Sequence, residues 1–186
     1  SFNGKLRRNQ QQPAQKMLTH EMGIISAPTG FGKTVVAAHV IAERKISTLI
    51  IVHSKVLADQ WKERLSEFLD IQSEPFVEYT PTGRIRKKDA IGELHSGKES
   101  LSHNIDIALF QTLANRENVA DILESYGIVI IDEVHHAAAK TFEDVIKQIK
   151  ARYLYGLTAT PERKDGLTPI LFMRLGEMIY EQKEAL

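Results

Sequence analysis

The run Ser26-Ala27-Pro28-Thr29-Gly30-Phe31-Gly32-Lys33-Thr34 has the residue types and spacing to hold a polyphosphate. Gly30 and Gly32 let a backbone wrap closely around an anion, where a Cβ would obstruct it. Backbone N–H groups of such a turn, and of the helix that follows, face phosphate oxygens. Lys33 would reach the β- and γ-phosphates, and the Thr34 hydroxyl would ligate Mg²⁺. The strict P-loop pattern opens with Gly, where this chain has Ala27. An ordinary strand–turn–helix corner containing Gly-Lys-Thr is the alternative reading.

A second group lies a hundred residues on. Ile128-Val129-Ile130-Ile131 runs directly into Asp132-Glu133-Val134-His135-His136. Carboxylates ending a buried strand are costly unless paired, hydrogen-bonded or beside a cation. Asp132 would hold Mg²⁺ beside nucleotide phosphates, and Glu133 would orient and polarise an attacking water. Without the first group, Asp-Glu could equally cap the next helix. His135 and His136 are adjacent, so one helix face does not present both, and no cysteine completes a zinc set. A third group, Thr158-Ala159-Thr160-Pro161, follows another apolar run and offers two hydroxyls.

The elements that position these groups are legible from hydrophobic pattern. Ile24-Ile25 reads as a strand entering the Gly-rich turn, and Val35 to Arg44 as the helix leaving it. Ser47 to His53 is a near-continuous apolar run, suited to a strand buried on both faces. Ser54 has the character of an N-cap for a helix over Lys55 to Phe68, with Leu57, Trp61, Leu65 and Phe68 on one face. Trp61 reads as core rather than as a base-stacking platform. Further strands are expected over Asp106 to Phe110, Ile128 to Ile131 and Tyr153 to Leu157, and a short one near Phe76 to Tyr79. Helices are expected around Val119 to Leu123 and over Lys140 to Lys150. Pro13 suits a first helical turn, which predicts a helix over Gln12 to Thr19. The basic run Gly83 to Lys88 reads as a solvated loop or hairpin tip that could also meet phosphates. Alternating strands and helices predict an α/β domain with a mostly parallel sheet and helices on both faces. The three polar groups all follow strands, so they can converge at the sheet's carboxyl edge, where such folds bind ligands.

Bulk properties narrow the classes. The 186 residues, 42% hydrophobic and 26% charged, suit one domain. A net charge of +0 leaves no overall field to recruit nucleic acid, so any such site is a local patch. The chain has 0 Cys, which fits a reducing, cytoplasmic interior. No apolar run approaches a membrane span, and no signal peptide opens the chain. The start at Ser-Phe-Asn without Met suggests an excised piece.

Taken together, Ala-Pro-Thr-Gly-Phe-Gly-Lys-Thr, Asp-Glu-Val-His-His and Gly-Leu-Thr-Ala-Thr-Pro-Glu-Arg resemble motifs I, II and III of superfamily 2 DEAD/DEAH-type helicases. The resemblance is nearest to the group of restriction-enzyme motor subunits and XPB-type repair helicases, and covers nearly the whole chain. It implies a RecA-like P-loop NTPase fold, ATP and Mg²⁺ as cofactors, and DNA as partner, with RNA possible. In its light, Leu6-Arg7-Arg8-Asn9-Gln10 is similar to the adenine-reading motif, with Gln10 as the adenine contact. His53-Ser54-Lys55 resembles motif Ia, placing Ser54 and Lys55 against a nucleic-acid backbone. Phe110-Gln111-Thr112-Leu113 resembles a later strand-contacting motif through Thr112. His135, Thr158 and Thr160 match positions that couple hydrolysis to movement.

The resemblance also implies a second RecA-like lobe, supplying an arginine finger, for which no motif set follows Gly166. The expectation is therefore a single first lobe over 1–186, with 167–186 the start of a linker or an edge strand. Two rival functions remain at this stage. A small-molecule P-loop kinase or NTPase would need an acceptor pocket and a basic lid, and Thr-Ala-Thr-Pro argues against it. A non-catalytic, nucleic-acid-binding ATP sensor is opposed by intact Lys33, Asp132 and Glu133.

Overall fold

Five-residue apolar runs build the centre of the molecule. The computed structural model describes residues 1–71, 77–79, 85–87, 89–133, 139–159 and 173–182, the side chains of 77–79, 85–87 and 139 excepted. The elements are α1 (Arg8–Thr19), β1 (Met22–Ser26), α2 (Lys33–Arg44), β2 (Thr48–Val52), α3 (Lys55–Phe68), β3 (Val77–Tyr79), β4 (Ile85–Lys87), β5 (Ile91–His95), β6 (Lys98–Ser100), β7 (Ile105–Leu109), α4 (Phe110–Ala114), α5 (Val119–Glu124), β8 (Ile128–Asp132), α6 (Ala139–Ile146), β9 (Tyr153–Thr158) and β10 (Met178–Glu181).

One sheet runs β10-β1-β9-β8-β2-β7-β5-β6. Every neighbouring pair is parallel except β5 with β6. The period-2 pleat splits each strand between two cores. Ile50 and Val52 of β2, with Ile128 and Ile130 of β8, face α1, α2 and α3 around Met17, Val36, Trp61 and Leu65. Leu49 and Ile51, with Val129 and Ile131, face α4, α5 and α6 around Leu113, Leu123 and Phe142. The expected α/β architecture, with a mostly parallel sheet and helices on both faces, is what the chain forms. The sheet is covered on both sides, so most of its strands carry few polar residues.

α3 spans the residues the pattern predicted, and the Ser54 hydroxyl caps it by accepting the Leu57 N–H at 3.3 Å. One sequence expectation needs correction. α1 begins at Arg8, so Pro13 lies inside it rather than in its first turn. Proline there forfeits a single i→i−4 bond, and the ring is buried against the core. Among its described residues the stretch from Gln72 to Asn104 holds four short strands, and the first, β3, lies where a short strand is expected. β5 and β6 extend the main sheet, and β3 pairs antiparallel with β4 inside the basic run. The remaining residues of that run, Gly83, Arg84 and Lys88, lie outside the described residues. β10 pairs with β1 at one edge of the sheet. Among the described residues no helix is long and apolar enough to cross a membrane.

Candidate functional site

β1 delivers the Gly-containing loop to the carboxyl edge. The Ala27 N–H donates to the Thr158 carbonyl at 3.0 Å, so the loop's first residue is tied to the end of β9. Gly30 and Gly32 have φ of 82° and 91°, left-handed values that a side chain would strain. Beside Gly30 nothing lies within 4 Å of where a Cβ would stand, so the loop's mouth is open. Gly32 is the N-cap of α2, and its carbonyl accepts from the Val35 and Val36 N–H groups at 3.0 and 3.2 Å. The Lys33 ammonium turns back on its own loop, donating to the Ala27 carbonyl at 2.6 Å and the Pro28 carbonyl at 3.3 Å. Burial pushes its pKa below 10.5, and the Glu133 and Asp132 carboxylates oppose that shift.

Asp132 closes β8 on the same pleat face as Ile128 and Ile130, which turns it toward α3. There its Oδ2 accepts the Trp61 indole N–H at 2.8 Å. Burial raises the Asp132 pKa and the charge of Glu133 adds to this, while the Trp61 bond and Lys33 hold it down. Glu133 has a φ of 53°, an uncommon value outside Gly. Simple alternation would send it to the opposite face; the left-handed turn ends the strand instead. Its N–H donates to the Leu157 carbonyl at 2.8 Å.

Gln10, 2% exposed, packs against the loop from α1. Its amide donates to the Phe31 carbonyl at 2.9 Å and accepts the Arg7 N–H at 2.9 Å. The Arg7 guanidinium reaches the same Phe31 carbonyl. Arg7, Gln10, Thr29, Gly30, Gly32, Lys33, Thr34, Asp132 and Glu133 line one cleft of about 480 Å³. Another cavity, about 350 Å³, lies by the C-terminus of α2 and the start of β7, and shares none of these residues.

Ser54, Lys55 and Thr112 follow the adjacent strands β2 and β7, so they extend along the same edge away from the loop. Lys55 is paired with Asp59 and lies 3.5 Å from Glu93, so its charge is partly neutralised within the chain. Thr112 sits within α4. Thr158, 2% exposed, ends β9 between the two corners. His135 and Thr160 lie outside the described residues. Sequence reasoning missed two participants: the indole N–H of Trp61 and the Arg7 guanidinium. Helical spacing predicts burial of Trp61, but its acceptor is 71 residues away and no local pattern reports it.

Fold and site together define a P-loop α/β domain of the RecA-like kind. The chain belongs to the family described as Type III restriction enzyme, res subunit, whose pattern it matches over residues 3–163. It is similar to the DNA 3'-5' translocase XPB2 of Sulfurisphaera tokodaii, with 30% identity over 96% of this chain and 36% of that protein. The putative helicase 161L of Invertebrate iridescent virus 6 is 35% identical over 92% of this chain and 38% of its own length. Among solved structures, the UvsW helicase of bacteriophage T4 superposes with a TM-score of 0.71, 16% identity, and coverage of 97% of this chain and 62% of that one. The chain therefore spans little more than a third of these two sequence relatives.

Proposed function

We propose that this chain is the ATP-binding motor lobe of a nucleic-acid-dependent ATPase, a helicase or translocase that acts on DNA. The observation that carries the proposal is the convergence of Lys33, Thr34, Asp132 and Glu133 on one cleft at the ends of two parallel strands, β1 and β8. The residues fit a Mg²⁺-bound triphosphate. A half-buried carboxylate pair and an inward-turned ammonium call for a cation and an anion respectively, and the loop's mouth is open. Backbone N–H groups over 29–34 and the Lys33 ammonium bind phosphate oxygens. The Thr34 hydroxyl and the Asp132 carboxylate hold Mg²⁺, whose chemistry is to neutralise charge on the β- and γ-phosphates. Glu133 orients a water and takes its proton. Gln10 reads adenine: beyond its bonds to Phe31 and Arg7 its amide keeps one N–H and one acceptor lone pair.

Ser54, Lys55 and Thr112 contact the nucleic-acid backbone. The Ser54 oxygen that caps α3 still has its hydroxyl hydrogen to donate. DNA is favoured as the track because the archaeal relative is named a DNA translocase. A second RecA-like lobe completes the ATP site with an arginine finger, and His135, Thr158 and Thr160 couple the two. Calorimetry tests the core of this. The chain binds Mg²⁺·ATP, and Lys33→Ala weakens that binding at least tenfold. In a longer chain carrying both lobes, DNA accelerates ATP hydrolysis and small metabolites do not. Equal binding by Lys33→Ala, or stimulation by a metabolite alone, would overturn the proposal.

A further inference from the structure

Trp61 is the sole tryptophan of the chain, and it is 1% exposed. A buried indole N–H without an acceptor loses its bond to water. Here the acceptor is Asp132 Oδ2, at 2.8 Å. The placement follows from two periodicities. Trp61 shares the inward stripe of α3 with Ala58 and Leu65, and Asp132 continues the Ile128–Ile130 face of β8. β2 lies beside β8, so α3, which leaves β2 at Ser54, starts next to the carboxylate. The bond fixes the plane of the Asp132 carboxylate, so its remaining lone pairs meet the cleft in one orientation.

We infer that Trp61 is a positioning residue for the carboxylate that holds the divalent cation, and that its emission reports occupancy of that site. This rests on the reading of Asp132 given under Proposed function. A hydrogen bond to a charged group contributes enough that its loss shifts an affinity by roughly tenfold or more.

The test is the Mg²⁺ dependence of ADP binding to the purified chain, followed by calorimetry. Trp61→Phe keeps most of the ring volume and deletes the donor. The Mg²⁺ concentration at half-saturation rises roughly tenfold, while ADP affinity in EDTA is unchanged. Leu65→Ala loosens the same core without touching Asp132, and moves neither quantity. An unchanged Mg²⁺ requirement in Trp61→Phe, or the same rise in Leu65→Ala, overturns the inference. If Trp61→Phe does not fold, the wild-type chain decides. Its tryptophan emission changes when Mg²⁺ joins bound ADP, and constant emission overturns the inference. Asp132→Asn separates the two levels: if it leaves the Mg²⁺ requirement unchanged, the reading of Asp132 itself falls. If it raises that requirement and Trp61→Phe does not, only the role of Trp61 falls.

Discussion

Two alanine substitutions in one loop are expected to differ for a reason visible in the geometry. Gly30 and Gly32 both hold left-handed φ values, 82° and 91°. Alanine in that region costs about 1–2 kcal/mol of backbone strain at either position. The surroundings then separate them. A Cβ on Gly30 has nothing within 4 Å, whereas one on Gly32 comes within 2.4 Å of Gln10 Nε2 and 3.0 Å of the Arg7 guanidinium. Making room for that Cβ displaces the Gln10 amide, which gives up its 2.9 Å bond to the Phe31 carbonyl. Leaving buried groups unpaired adds about 1–3 kcal/mol. Gly32→Ala is therefore less stable than Gly30→Ala by that amount. With a urea slope of about 2 kcal/mol/M, the unfolding midpoints differ by about 0.5–1.5 M. Because Gln10 is displaced, Gly32→Ala also loses preference for ATP over GTP, read by competition binding. Gly30→Ala weakens both nucleotides alike. Coincident midpoints, or a preserved adenine preference in Gly32→Ala, would refute the reasoning.

Glu93→Gln tests the charge cluster beneath Lys55. Burial opposes the Glu93 charge, but bonds from Lys98 and Lys62 outweigh it and hold the carboxyl at about 2 against an ordinary 4.5. A depressed carboxyl stabilises the fold above the ordinary value, and that stability is lost as pH falls from 4.5 through about 2. Denaturation at several pH values should show wild type ahead by up to about 3 kcal/mol at neutral pH, with the gap closing in acid. Glu133→Gln, in a chain carrying both lobes, keeps ATP binding and loses hydrolysis by at least about a hundredfold; unchanged turnover removes Glu133 from its role. The 186-residue chain alone binds nucleotide but hydrolyses it weakly, because an arginine finger contributes about 10³–10⁵ in rate; brisk DNA-stimulated turnover by the isolated chain contradicts this.

The parts of this fold that were legible in the sequence are those whose burial is written locally. β2 and β8 are near-continuous apolar runs, and α3 carries both its cap and its inward stripe. β5 was not legible, because Ile91-Gly92-Glu93-Leu94-His95 carries a glycine and a carboxylate inside a strand. That carboxylate is satisfied by Lys98 from the next strand, β6, and by Lys62 from α3, which lies 31 residues away where no local pattern reports it. β7, by contrast, was legible over Asp106 to Phe110 although it too carries a buried carboxylate, Asp106. Asp106 is 0% exposed and accepts from the Ser102 and His103 N–H groups at 2.8 Å and from the Tyr126 hydroxyl at 2.6 Å. The candidate site divides similarly. Loop glycines, Lys33 and Asp132-Glu133 are spelled out by type and spacing. The side chains that hold them, Trp61 and Arg7, come from α3 and from the residue preceding α1.

The two chemistry-bearing corners are not independently anchored. β9 lies between β1 and β8, and its last two residues fasten both. The Thr158 carbonyl takes the Ala27 N–H at 3.0 Å, and the Leu157 carbonyl takes the Glu133 N–H at 2.8 Å. Consecutive carbonyls on a parallel strand point to opposite neighbours, so a single peptide plane separates the two attachments. Any force that pulls on the chain after Thr158 therefore acts on the phosphate loop and the Asp-Glu corner at once, through backbone bonds that side-chain substitution cannot remove. Exchange of the Ala27 and Glu133 amide hydrogens is the direct measure. If β9 is their common anchor, substitutions that destabilise its end, such as Leu157→Ala, speed exchange at both amides together. Faster exchange at one alone would show that the corners are held separately.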